Sequence, residues 1–306
     1  MTTSVAVGLS GDSGWILTAA TLVVAGLLLV PGWIVGRAAR LAALPSLAVA
    51  PALSSAIIAA AEILAHTLAL PWLPWGWAVI AGLTAVLALM ARLIVGAPPE
   101  RARRAASPGR AEWAILAAGL TVAVALPAGV ILSVLPSPGY PAQAFDATFH
   151  LNAVAAIRGG GNASMLGGLS ALYSGRAVYY PTVWHGAVAL APGSPAPVST
   201  AGVLALTAVV WPLSLLGLFA RATGLDATRA SETDRVHRRQ RTCAVAAVLA
   251  LSAAVVGFPL LPMTALAVWP YALSVAGLPG VLVLYDQLRQ ETASWRLRLT
   301  LVLLTL

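Results

Sequence analysis

The sequence predicts an all-α protein, a multi-pass transmembrane helical bundle with a non-cytoplasmic loop of short interfacial helices. Of its 306 residues, 59% are hydrophobic and 9% are charged, and the mean hydropathy is +0.88. Apolar stretches of about 20 residues recur along the chain, which is the length that a helix needs to cross a bilayer. Backbone groups in lipid must pair within their own segment, and the alternating ~10-residue strands of a transmembrane barrel are absent from the sequence.

The apolar run at residues 15–36 is predicted to be a retained helix rather than a cleaved signal peptide. Its first positive charges, Arg37 and Arg40, follow the apolar segment, whereas a signal peptide has its charge before a shorter one. Seven complete spans are expected, and the chain stops inside an eighth, which indicates the N-terminal part of a longer protein. The expected bounds are 15–36, 42–66, 76–95, 112–135, 198–220, 242–260 and 264–285, and the last apolar run begins at 299.

Arginine positions predict the orientation of these spans. The connections after the first, third, fifth and seventh spans contain sixteen of the eighteen arginines, and the chain has no lysine. The positive-inside rule places these connections in the cytoplasm, with the N-terminus outside the plasma membrane. The pI near 10.7 then reflects charges that meet membrane lipid at helix ends, and nucleic-acid binding is not expected.

Two units are predicted from the basic, proline-containing stretch at residues 98–110. Residues 1–110 would form an N-terminal three-helix transmembrane unit, and residues 111–306 a second transmembrane core that is incomplete at its C-terminus. Cys243 is the only cysteine, which excludes a disulfide within the chain and a cysteine-based metal cluster.

Polar chemistry is concentrated in the outside loop that follows the fourth span. Residues 146–158 are predicted to form a short helix that is ended by the glycines at 159–161. Asp146 and His150 are four residues apart and share one face of that helix. Three interpretations remain open: Asp146 caps the helix, the pair is half of a metal site that lacks further ligands, or the pair is catalytic.

An aromatic cluster occupies the second half of the same loop, beside His185. Its members either belong to the interfacial belt of a membrane protein or form a surface that stacks on sugars. The following apolar segment, 181–191, has about 11 residues and reaches only half of a ~30 Å hydrocarbon core. It is therefore predicted to be a short helix at the outer surface. The cluster consists of Tyr173, Tyr179, Tyr180 and Trp184.

The order of these pieces resembles the first luminal loop of the GT-C superfamily of membrane glycosyltransferases. FDATFHLNAVAAI with YYPTVWHGAVAL also looks like an uncharacterised family of large actinobacterial membrane proteins. The resemblance covers about residues 112–222. It implies a GT-C-like core that transfers a sugar from a polyprenyl-phosphate donor to a cell-wall glycan or glycolipid acceptor. Three spans precede this core and no second carboxylate lies nearby, so a divalent metal is not supported and the cofactor stays unassigned.

The resemblance also implies roles for individual residues. Asp146 matches the catalytic carboxylate and would act as the base, with His150 as its orienting partner. Arg176 would be the leading phosphate contact. The remaining substrate-binding candidates are Arg158, Tyr180, Trp184 and a protonated His185.

The rival interpretation is a transporter or a non-catalytic scaffold in envelope assembly. Transporters place ionisable residues near the middle of the membrane. Within its spans this chain offers only Glu62 and His66 for that purpose. Both are expected near the outer end of the second helix, within reach of water.

Overall fold

The computed structural model describes residues 12–95, 108–137, 139–225 and 232–289. Within these ranges the chain is helical, without a β-strand, and the predicted all-α class is confirmed. The helices are α1 (Asp12–Ala38), α2 (Ala43–Thr67), α3 (Trp72–Val95), α4 (Arg110–Val134), α5 (Phe145–Gly160), α6 (Val183–Ala189), α7 (Pro195–Leu204), α8 (Trp211–Ala222), α9 (Glu232–Ala253), α10 (Leu261–Met263) and α11 (Trp269–Arg289).

Six helical segments in this part of the chain are long and apolar enough to cross a membrane. They are α1 from Gly14, α2, α3, α4, the continuous segment Pro195–Ala222 and α11. In the fifth, a π-helical stretch at Ala205–Val210 joins α7 to α8. A seventh span forms if Val236–Ala253 and Val256–Met263 are counted together, although the chain bends by 50° between them. The multi-pass helical architecture is thus as predicted, while the run from 299 lies outside the described residues.

Helix α2 lies at the centre of the bundle, where it packs against α1, α3, α8 and α11. Glycines on three of these neighbours allow close approach to its backbone. A Cβ atom at Gly217 of α8 would lie 2.6 Å from the carbonyl oxygen of Leu44, and one at Gly280 of α11 would lie 2.7 Å from that of Ala48. The predicted units 1–110 and 111–306 therefore share one hydrophobic core, and much of the expected seam between them lies outside the described ranges.

The two ends of the bundle differ in chemistry. At one end the α2–α3 connection meets the polar loop, because the Trp72 backbone amide donates to the Gly161 carbonyl at 2.7 Å. At the other end Arg221 pairs with Asp286 at 2.8 Å, and Arg238 pairs with Glu112 at 3.2 Å. The arginines of these two ion pairs and the polar loop thus lie at opposite ends of the bundle.

Candidate functional site

The polar loop contributes two helices to one end of the bundle. Helix α5 ends as predicted, because Gly161 adopts a left-handed φ of 68° and its amide donates to the Ile157 carbonyl. Helix α6 is short, as predicted. Residues 184–189 are all buried within the protein, because α6 packs against α2, α5, α7 and α11.

Asp146 lies in the first turn of α5 at the mouth of a cavity. The N-cap residue is Ala144, and no side-chain hydrogen bond caps the helix. Among the described residues, no hydrogen bond or ion pair engages the Asp146 carboxylate, so a capping bond does not explain its position. The cavity has a volume of about 390 Å³. Its lining consists of Asp146, Phe149, His150, Tyr173, Tyr180, Val268, Pro270 and Tyr271.

His150 lines the same cavity as Asp146, but its side chain is hydrogen-bonded to His185. The distance between His150 Nδ1 and His185 Nε2 is 2.8 Å, and the two residues are 3% and 0% exposed. Burial lowers the pKa of His150 to about 4, although the charge of Asp146 and a hydrogen bond to the Ala267 backbone oppose the shift. Burial and the neighbouring His150 lower the pKa of His185 to about 3. Burial thus favours the neutral form of both rings, and His185 is fully buried and does not line the Asp146 cavity, where a phosphate contact was predicted.

Trp184 is also part of the core rather than of a binding surface. Its side chain is 1% exposed, and its ring lies 4.6 Å from that of Trp269, between centroids. It packs in the core and does not line the Asp146 cavity, so the predicted contact with a sugar in that cavity is not seen. Tyr180 fits the prediction better because it is half-buried, lines the cavity and lies 5.0 Å from the Phe149 ring.

The two loop arginines differ from each other. Arg158 donates to the Ala189 carbonyl at 3.1 Å and also to the carbonyls of Ala191 and Gly193. It therefore fixes the connection between α6 and α7, and it does not line the cavity, in contrast to its predicted substrate role. Arg176 is exposed, its side chain has no hydrogen bond within the described part of the chain, and its amide donates to the Tyr173 carbonyl at 3.0 Å.

Glu62 occupies a position that the sequence did not indicate. It was expected near water, but it is 1% exposed. Its Oε2 accepts a hydrogen bond of 2.9 Å from the Thr182 hydroxyl, while Oε1 has no hydrogen-bond partner among the residues that the structure describes. Glu62 packs against Gly186, whose carbonyl accepts a 2.9 Å bond from the Trp72 indole. This cluster joins α2 and α3 to α6, directly behind the histidine pair.

A second cavity of about 550 Å³ lies at the same end and is mainly apolar. It is lined by the end of α4, by Leu151 of α5, by Val203 of α7 and by Met263 and Trp269. Helix α5 and the chain from 263 to 271 contribute to both cavities. A polar chamber and an apolar chamber are thus neighbours around one short helix.

The segment from Val268 to Tyr271 completes the site from a distant part of the sequence. Tyr271 lines the Asp146 cavity and is 61% exposed. Its only sequence signal is an aromatic residue near the outer end of the last predicted complete span. In the ranges that the structure describes, no group of three or more His, Cys, Asp or Glu side chains is arranged to hold a metal ion.

The comparisons with known proteins give one family and no neighbour of known activity. No curated protein and no solved structure matches the chain. Residues 25–306, which include every helix that lines the two cavities, match a family of unknown function. The chain therefore belongs to the DUF6541 family.

Proposed function

We propose that this chain is part of a membrane glycosyltransferase that uses a polyprenyl-phosphate sugar donor and a cell-envelope acceptor, a glycan or a glycolipid. The observation that carries the proposal is the Asp146 carboxylate, which faces a cavity without a hydrogen-bond partner in the described chain. A carboxylate kept in this state is able to accept a proton from a substrate. The proposed orientation places this cavity at the outer face of the plasma membrane, where the sugar of a lipid-linked donor meets water.

The proposed reaction balances as a simple displacement. The acceptor hydroxyl oxygen forms a bond to the anomeric carbon, and the bond from that carbon to the phosphate oxygen breaks. The hydroxyl proton goes to Asp146, and the polyprenyl phosphate leaves with the bonding electron pair. No metal is needed for this electron balance, and none is assigned.

Other residues have supporting parts in the proposal. Tyr173 and Tyr180 line the cavity, where their rings offer apolar faces for sugar C–H groups. Burial raises the pKa of Tyr180, with smaller contributions from Tyr173 and Asp146, so its hydroxyl stays protonated. Arg176 is exposed and its amide bonds the carbonyl of Tyr173, which lines the cavity; its proposed role is to bind the developing phosphate charge, which a guanidinium binds well. His150 lines the cavity, and His185 lies behind it as its hydrogen-bond partner.

The neighbouring apolar cavity supports a lipid-linked donor rather than a soluble one. Its position beside the end of α4 places it at the boundary of a predicted span. A polyprenyl tail could remain in hydrocarbon there while the sugar enters the polar cavity on the other side of α5. In this proposal the Asp146 cavity receives the sugar phosphate of the donor, and the apolar cavity receives part of its polyprenyl tail.

The decisive experiment is Asp146→Asn in the full-length protein. Asparagine has nearly the same shape but accepts no proton at neutral pH, and loss of a general base typically lowers the rate by a factor of about 10²–10⁴. Sugar transfer would be measured with purified protein and radiolabelled polyprenyl-phosphate sugars. Asn152→Ala is the matched control, because Asn152 is exposed on the same helix and does not line the cavity.

We expect Asp146→Asn to express normally and to lose transfer, while Asn152→Ala keeps it. Transfer at the wild-type rate by Asp146→Asn would refute the role of the carboxylate. If the wild-type protein transfers no sugar from any polyprenyl-phosphate donor, the scaffold interpretation replaces the enzymatic one.

A further inference from the structure

A second cavity with charged walls lies at the arginine-rich end of the bundle, far from the polar loop. It is formed between α8, α9 and α11 and has a volume of about 750 Å³. Arg221 and Thr223 contribute from the end of α8, Arg241 from α9 and Asp286 from α11. We propose that this cavity binds a phosphate group, the chemistry shared by anionic lipid headgroups and soluble phosphates.

The charges of the wall favour an anion. Arg221 and Asp286 form an ion pair of 2.8 Å, which joins α8 to α11 and largely neutralises both groups. Arg241 is exposed and has no salt-bridge or hydrogen-bond partner within the described chain. The lining therefore has a net positive charge, and its unpaired guanidinium is able to make charge-assisted hydrogen bonds to phosphate.

The backbone beside Arg241 leaves room for a ligand. Gly224 adopts a left-handed φ of 67°, and a Cβ atom placed there would lie 3.8 Å from Nη1 of Arg241. The last carbonyls of α8 do not repel an anion strongly, because the amides of residues 223–225 donate to the carbonyls of residues 219–221. Glycine thus keeps the space in front of the guanidinium open.

The apolar part of the wall suits the position of a lipid. Leu218, Leu282 and Val283 line the same cavity, and all three belong to segments able to span the membrane. A phospholipid whose chains run along these helices would place its headgroup at the level of Arg241. Anionic lipid is attracted to basic residues at this boundary.

The test compares two arginines on the same helix. Arg241→Gln removes the charge from the cavity, whereas Arg239→Gln removes an exposed charge that does not line it. Binding of dioleoylphosphatidylglycerol to the purified full-length protein would be titrated by native mass spectrometry, with dioleoylphosphatidylcholine as the neutral lipid. We expect Arg241→Gln to weaken phosphatidylglycerol binding about tenfold, the equivalent of about 1.4 kcal/mol, and Arg239→Gln to leave it unchanged.

Two further arms identify the source of the phosphate and test the sign of the charge effect. If inorganic phosphate at millimolar concentration displaces the lipid, the ligand is a soluble phosphate. If it does not, the ligand is the headgroup. Asp286→Asn removes the negative charge and should tighten anion binding. Equal losses in Arg241→Gln and Arg239→Gln, or unchanged binding in Arg241→Gln, would overturn the proposal.

Discussion

Replacement of Gly217 by alanine tests the close contact between α8 and the central helix α2. In Gly217→Ala the new Cβ would lie 2.4 Å from the Ala48 backbone nitrogen and 2.6 Å from the Leu44 carbonyl oxygen. An ordinary van der Waals contact is at least 3.4 Å. Because both atoms belong to the backbone, rotation of a side chain cannot relieve these overlaps. The two helices would have to separate by about 1.0 Å, the difference between 3.4 Å and 2.4 Å.

The cost of this separation follows from the contacts at the same level. The Ser214 hydroxyl of α8 bonds the Ala276 carbonyl of α11 at 3.1 Å and approaches the Ala48 carbonyl of α2 at 3.3 Å. A displaced α8 would stretch these bonds. Overpacking of this kind costs about 1–3 kcal/mol, which exceeds the gain of up to about 1 kcal/mol from the higher helix propensity of alanine. We expect an apparent Tm several degrees below wild type.

Thermal unfolding of purified protein in detergent, followed by tryptophan fluorescence, would measure the change. Gly82→Ala is the matched control, because Gly82 also lies within a predicted span and a Cβ there would have no atom within 4 Å. Its Tm should equal or exceed that of wild type. If Gly217→Ala melts at the same temperature as Gly82→Ala, the close contact between α2 and α8 is refuted.

Two other predictions concern the polar loop. The pKa values of His150 and His185 lie below that of an unfolded histidine, near 6.5. The unfolded state therefore binds more protons than the folded state between about pH 6.5 and 4. As the pH is lowered through this window, the free energy of unfolding should decrease by up to about 1.4 kcal/mol per pH unit for each histidine. A Tm that does not change from pH 7 to 5 would contradict this prediction. His237→Gln is the control, because His237 is exposed and its replacement should leave the pH dependence of the Tm unchanged. The orientation of the loop is tested by Ser170→Cys combined with Cys243→Ser, which should react with a membrane-impermeant maleimide in intact cells. Reaction only after lysis would mean that the loop faces the cytoplasm and would contradict the predicted orientation.

The transmembrane segments were predictable because hydrocarbon length and arginine position are properties of the sequence alone. The end of α5 was predictable too, since three consecutive glycines break a helix and Gly161 takes the left-handed conformation that a C-cap needs. The first five expected spans and the seventh therefore match the six observed helical segments to within several residues, whereas the sixth, 242–260, falls on two helices separated by a bend after Ala253 that was not predicted.

The environment of individual loop residues was less predictable, because it depends on distant parts of the chain. Trp184 and His185 resemble interfacial residues in the sequence, yet Trp269 covers the indole and α2 lies against α6. In the sequence Arg158 looks available to a ligand, but in the structure its guanidinium donates to backbone carbonyls between Ala189 and Gly193, more than 30 residues away in the chain. Asp146 was identified from its position at the start of α5, but the cavity that it lines is completed by Val268, Pro270 and Tyr271, which the sequence did not place beside it.

The hydrogen bond between Glu62 and Thr182 has a consequence for biogenesis. Its two residues are 120 positions apart, so at about 5–20 residues per second a ribosome needs roughly 6–24 s to synthesise the second after the first. During that interval α2 enters the membrane with a carboxylate whose final partner does not yet exist. An unsatisfied polar group in hydrocarbon costs several kcal/mol, which favours a position near the outer boundary until α6 is made. The central helix is thus among the first to be inserted and among the last to reach its final environment.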